Sequence, residues 1–180
     1  MKKFLVTATA AAVLSALSTG AFAVVDLNAG TGAANFASQL VVPGTTALTG
    51  AGVNVTSKLG FGVSENQQRF VRYDLTNAKF GAAVAPANLV VAPVTNIVVS
   101  SGGAAGGTFV IFEITAGVGG IDQAAAVAFN AGTPGLVIQS ASTSVAMAYS
   151  LYQDAASAAA GGAAGRLANA SASVAGLVSG

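Results

Sequence analysis

Apolar and polar residues alternate with a period of two along two stretches of the chain. In 69–75, Val71, Tyr73 and Leu75 fall on one side and Phe70, Arg72 and Asp74 on the other. Successive side chains of a β-strand point to opposite faces, so this is the pattern of a half-buried strand whose first face is core. In 144–152, Val145, Met147, Tyr149 and Leu151 oppose Ser144, Ala146, Ala148, Ser150 and Tyr152, and the same reading applies. Residues 109–114 are apolar on both sides except at Glu113, as expected of a central strand between two covered layers.

Strands are predicted at 36–42, 53–63, 69–80, 89–100, 108–115, 125–129, 136–140, 144–152 and 167–178. Turn-forming groups stand between them: Pro43-Gly44, Ser64-Glu65-Asn66, Ser101-Gly102-Gly103, 117–120, 130–135 and Gly161-Gly162. Short strands and turns recurring at this pace predict an all-β fold, an antiparallel β-sandwich of immunoglobulin-like or jelly-roll-like kind. A β-solenoid is the second architecture, but stacked coils keep matching inward residues at each level, and the Phe and Val spacings here drift.

Two stretches depart from the strand pattern. Residues 154–167 are dense in Ala, which favours helix, yet Gly161, Gly162 and Gly165 interrupt them; a short helical turn or a mobile loop is expected. Residues 24–34 are Gly-rich and poor in large side chains. They can pair as an edge strand or extend as a free arm that adds to a neighbouring copy.

At the start, Lys2 and Lys3 precede an apolar, Ala-rich run over 4–17, and Ala21-Phe22-Ala23 has the small-x-small form of a cleavage site. The run is interrupted by Thr7, Thr9 and Ser15 and falls short of the roughly 20 apolar residues that span a bilayer. The expectation is a signal peptide over 1–23 and one mature domain over 24–180, delivered to the periplasm, the cell surface or the medium. Val178-Ser179-Gly180 carries no closing charge cluster, which leaves room for the chain to be the front part of a longer protein.

Composition sharpens this picture. Hydrophobic residues make up 53% and charged residues only 7%, against about 25% charged in an ordinary soluble domain. With no Cys, His or Trp, disulfides, thiolate and imidazole metal sites, and Ser-His or Cys-His nucleophiles are excluded. Gly, Ser, Thr and Asn interrupt every mature apolar run, so no mature membrane span is expected. Without 1–23, the basic residues are Lys58, Arg69, Arg72, Lys79 and Arg166, five against six carboxylates, a net charge of −1. Five cations are too few to line a nucleic-acid groove, and so little charge leaves weak repulsion between copies.

The carboxylates are Asp26, Glu65, Asp74, Glu113, Asp122 and Asp154. A glycoside hydrolase needs two facing each other across a cleft, and sequence selects no pair. Glu113, inside an apolar strand, is the candidate for a carboxyl raised by desolvation; the structural reading makes it a surface group or a partner of Arg69 or Arg72. Calcium takes oxygen ligands, and Asp26-Leu27-Asn28 and Asp122-Gln123 lie near Gly-rich loops, where capping of turns through Asx hydrogen bonds is the simpler role. The Gly-rich runs 102–107 and 117–120 lack the Gly-Lys-Ser/Thr ending of a phosphate loop. Asn54-Val55-Thr56 and Asn169-Ala170-Ser171 match the glycosylation acceptor pattern, which carries little meaning behind a bacterial signal. No catalytic, cofactor-binding or metal-ligating residue emerges, and no cofactor is expected. Arg72 and Asp74 can pair along their strand, as part of a ligand strip or as charges that keep a sticky sheet from pairing edge to edge.

An export signal, a cysteine-free chain rich in Ala, Gly, Val and Thr, and Tyr73-Asp74-Leu75 in a strand together resemble the secreted surface-layer and fimbria-like structural proteins of Gram-negative bacteria. The resemblance implies a β-sandwich displayed at the cell surface and self-association through sheet edges. The expected function is that of an exported, non-enzymatic structural or adhesive protein that forms homo-oligomers or a surface assembly. The alternative is a carbohydrate-binding or carbohydrate-active secreted module with a glycan partner. Tyr73 and Tyr149 are assigned to the core, which leaves Tyr152 as the one Tyr available for a sugar platform.

Overall fold

The computed structural model describes residues 54–132, 135–138 and 145–175, together with the backbone of Ala23–Val24 and Asn28–Ala29. In chain order the strands are β1 (Ala23–Val24), β2 (Asn28–Ala29), β3 (Asn54–Lys58), β4 (Gln68–Thr76), β5 (Ala78–Phe80), β6 (Leu89–Val90), β7 (Val94–Gly102), β8 (Phe109–Ala116), β9 (Ala126–Asn130), β10 (Leu136–Ile138), β11 (Val145–Tyr152) and β12 (Arg166–Ala175), with one helix, α1 (Ala155–Ala160). The strand predicted at 36–42 lies outside the described residues.

A six-stranded sheet in the order β1-β12-β11-β4-β8-β7 faces a four-stranded sheet, β2-β3-β9-β6, and β10 pairs with β5. Neighbours are antiparallel except for β1 on β12. The fold is therefore all-β and sandwich-like, as the alternation predicts; antiparallel ladders do not build the stacked coils of a solenoid.

The face read as core is core. Val71, Tyr73 and Leu75 of β4 join Val110, Phe112 and Ile114 of β8 and Met147, Tyr149 and Leu151 of β11 on the inner side of the larger sheet. Val55, Val127 and Phe129 meet them from the smaller one. The Tyr73 and Phe129 rings stack at 4.5 Å between centroids, and Phe112 and Phe80 set their edges against Phe129 at 5.8 and 6.2 Å. Tyr149 Oη donates to Leu59 O at 2.9 Å, which ties β11 to the chain leaving β3.

Two long predicted strands are each divided. The stretch 69–80 bends at Asn77, φ +60°, a left-handed conformation that Asn tolerates better than most residues, so β5 leaves the large sheet and joins β10. The stretch 89–100 breaks at Pro93, which has no N–H for a ladder; the Ala92–Pro93 peptide is cis. The predicted 53–63 strand ends at Lys58, and Val63 keeps only an isolated bridge to Ile121.

The outer face of the large sheet departs from the expected polar surface. Phe70, Ile111 and Tyr152 are buried there with Ala158 of α1, and Phe109 packs against them. The Ala-rich segment thus forms a short helix lying on the sheet, the helical of the two alternatives. Asp154 Oδ1 accepts from Ser157 N at the helix start, and Gly161, φ +69°, ends it. Tyr152, expected to be free, is fully buried, its hydroxyl donating to Gly162 O at 2.9 Å.

The segment 24–34 follows the edge-strand alternative where it is described. Ala23 and Val24 pair with Ala168 and Asn169 of β12, and Asn28 and Ala29 pair with Thr56 and Val55 of β3.

Two outcomes follow from the core hydroxyls. The Tyr73 hydroxyl is buried with no hydrogen-bond partner, and an orphaned buried polar group costs about 1–3 kcal/mol. Tyr73→Phe should therefore raise unfolding stability by about 1 kcal/mol, whereas Tyr149→Phe, which strands Leu59 O, should lower it by about 1 kcal/mol. Denaturant titration of both variants checks this; an equal loss in the two contradicts it. Burial also pushes both phenols above their ordinary range. The folded protein then keeps two protons that the unfolded chain releases above pH about 10. Stability should be level below that pH and fall above it, by up to about 1.4 kcal/mol per pH unit for each Tyr.

Candidate functional site

Most ionisable side chains described here have local structural partners. Arg72, on the outer face of β4, donates through Nε and Nη2 to the Asp74 carboxylate, with Nη2 to Oδ1 at 2.7 Å. Its Nη1 donates to Ala158 O at 2.7 Å and Ala159 O at 3.0 Å, carbonyls at the C-terminal end of α1. The guanidinium also lies 4.8 Å from the centroid of the Phe109 ring. Its pKa is raised chiefly by the hydrogen bond to Asp74, against the opposing effect of burial. Gly161 passes so close that a Cβ there would come within 2.8 Å of the guanidinium carbon. Arg72 and Asp74 do pair as expected, but β4 lies between β11 and β8; charges on an interior strand cannot guard a sheet edge, and this guanidinium fastens a helix to the sheet.

The other carboxylates are scattered. Glu113 is half-buried on the outer face of β8 and accepts from Gln68 Nε2 at 2.8 Å, so its hydrogen-bond partner is Gln68 in place of the expected Arg69 or Arg72. Arg69 instead donates to Gln68 O and Gln67 Oε1. Asp122 Oδ1 accepts from Ala124 N at 2.7 Å, the Asx turn considered above. Asp154 is held below the usual carboxylate range by the Ser157 backbone N–H, aided by the Ser157 hydroxyl. Among the described residues no three metal-ligating side chains cluster; Asp26 lies outside them.

The Gly-rich loops direct N–H groups to protein acceptors. Gly103 N donates to Phe109 O, Gly106 N to Phe80 O and Gly107 N to Ala104 O. Gly117 N donates to Pro93 O, Gly120 N to Gly117 O and Gly119 N to Glu65 Oε2. An open groove of about 680 Å³ lies at this end of the sandwich, lined by Ser64, Pro93, Ile121, Asp122 and Gln123 among others. Of the large apolar side chains among the described residues, Phe61, Val90 and Val118 are exposed.

The sheet edges complete the inventory. β6 and β2 are two residues long, and β1 covers only Ala168 and Asn169 of β12. β7 is nine residues long, carries no charged residue, and has no strand beyond it among the described residues. The 3₁₀ turn Pro86–Asn88 lies near β7, but its hydrogen bonds run from Asn88 N to Ala85 O and from Ala85 N to Asn88 Oδ1. Sequence reasoning found the strand without seeing that it is an edge, since that depends on strand order. No protein-family model matches the chain, and no curated protein matches it.

If Arg72 fastens α1, Arg72→Ala leaves a partly buried Asp74 unpaired and two helix carbonyls without their donor. The expected loss is about 2 kcal/mol in denaturant unfolding, with Tyr152 fluorescence shifted toward that of an exposed phenol. Arg72→Lys should recover less than half, because one ammonium cannot reproduce the planar fork. A loss below about 0.5 kcal/mol, the ordinary effect of a surface substitution, contradicts the fastening role.

Proposed function

We propose that the chain is an exported, non-enzymatic structural protein that acts at the cell surface by associating with copies of itself. The observation supporting this most is the edge of β7, beyond which no strand lies among the described residues. An edge strand presents a row of N–H and C=O groups to solvent, and protective edges are short, charged or interrupted by Pro. Over its nine residues β7 has neither charge nor Pro. The expected net charge of −1 in the mature chain leaves little repulsion to keep copies apart. The Lys-Lys start and Ala-x-Ala site support export.

The glycan-binding alternative loses its platform with the burial of Tyr152, and Tyr73 and Tyr149 are buried as well. A catalytic reading would need two opposed carboxylates, whereas Glu113, Asp122 and Asp154 each accept a hydrogen bond at a separate place in the fold.

Sedimentation velocity over a wide concentration range tests the proposal. The wild-type chain should associate as concentration rises, and Asn96→Lys, at an exposed β7 position, should move the equilibrium at least tenfold toward monomer while changing stability by less than about 0.5 kcal/mol. A wild-type chain that stays monomeric throughout overturns it.

A further inference from the structure

We infer that two copies pair antiparallel through β7 about a two-fold axis passing at Val98, joining their large sheets into one continuous sheet. The inference rests on the self-association proposed above and names its surface, partner and register.

The register follows from the bulges and the pleat. β7 pairs regularly with β8 from Asn96 to Val99, with Asn96 opposite Thr115, Ile97 opposite Ile114, Val98 opposite Glu113 and Val99 opposite Phe112. The ladder shifts at either end of this window, between Val94 and Asn96 and between Val99 and Ser101. At those shifts Thr95 Oγ1 donates to Thr115 O and Ser100 Oγ to Ile111 O. Bulges bend an edge and locally end its capacity to pair, so the flat segment open to a partner is 96–99.

Within this segment Ile97 and Val99 pack against the core side, while Asn96 and Val98 lie opposite outer-face residues of β8. Directly opposed residues of an antiparallel pair share a face. A two-fold axis that pairs this segment with itself must therefore pass through Ile97 or Val98, not between them. An axis at Ile97 sets the amide of Asn96 against Val98 twice. An axis at Val98 sets Ile97 against Val99 twice and Val98 against Val98, matching every apolar side chain with another.

The edge itself argues for a second copy as the occupant. It is self-complementary about one point, it has no charge to repel its own image, and a partner of opposite charge would find nothing on it to read. An isologous contact occupies the edge of both copies at once, so it closes as a dimer and does not propagate as a fibre.

The chain contains no cysteine, so single introduced cysteines report the register cleanly. Opposed residues of an antiparallel pair have Cα atoms about 4.5–5.5 Å apart, within disulfide range. Under mild air oxidation, Val98→Cys should form a covalent dimer at least tenfold faster than Val118→Cys, an exposed control in the loop that follows β8, outside the paired window 96–99. Independently, an equimolar mixture of Ile97→Cys and Val99→Cys should cross-link at least tenfold faster than Ile97→Cys alone. This second pair keeps the test decisive if one substitution disturbs folding. A wild-type chain that associates while neither pattern appears overturns the β7 register and leaves the self-association standing; fast cross-linking of Ser171→Cys, at an exposed position of β12, would then point to β12. A wild-type chain that is monomeric at every concentration overturns both together.

Discussion

The two sheets are held face to face by the stack of Tyr73 on Phe129, and the inner architecture is arranged around that contact. Tyr73 comes from the middle of β4 in the large sheet, and Phe129 from β9 in the small one. Their near-parallel rings, with Phe112 and Phe80 edge-on to Phe129, supply bulk in a chain without Trp. Aromatic pairs in offset or edge-to-face geometry add about 0.5–1.5 kcal/mol each beyond the area they bury. Residues around this centre can consequently be small: Ala116, Ala131, Ala168 and Ala170 are all buried. Placing a phenol at this position also encloses a polar oxygen, and Tyr73 and Tyr149 resolve that differently, one leaving the hydroxyl alone and the other reaching Leu59 O.

The outer layer rests on a different kind of contact. A six-residue helix is too short to be stable by itself, so α1 needs the sheet beneath it. Ala158 brings it close to Phe70, Ile111 and Tyr152. The Arg72 guanidinium then satisfies the Asp74 carboxylate and two helix carbonyls in one plane, a task suited to its fixed fork of donors. One of the chain's few cations is thereby made part of the architecture.

Much of this was legible locally. The period-two runs at 69–75 and 144–152 correctly gave the core faces of β4 and β11, because burial of one face imposes alternation on the residues themselves. The apolar run at 109–114 correctly implied a strand covered on both sides. Less legible was what depends on a distant partner. Tyr152 reads as part of the polar side of β11 because nothing in its own strand announces that α1 will cover it. Asn77 looks like one more polar residue in a strand, and only its left-handed backbone shows where β5 turns away. Pro93 was visible and should have divided 89–100. The candidate interaction site was the least legible of all: the sequence of β7 would serve as well in a sheet interior, and its position at an edge exists only once the strand order is known.

That edge differs from the others in how pairing is limited. β2 and β6 are limited by length, with two residues each, and β6 is followed closely by Pro93. On β7 the limits are geometric: the Thr95 and Ser100 positions fall out of register at either side of 96–99, and their hydroxyls reach the same β8 carbonyl row that the backbone ladder uses. A bulge increases local twist, so a flat approach by an unrelated extended chain meets a surface that turns away at both ends. A second β7 carries the same twist, and about the axis inferred at Val98 the regular residues 97–99 of the two copies meet, while Ser100 falls opposite Asn96. Restricting a bare edge in this way is compatible with low charge. In the pairing proposed for β7, specificity comes from the backbone course of the strand, and the side chains have only to avoid contradicting it.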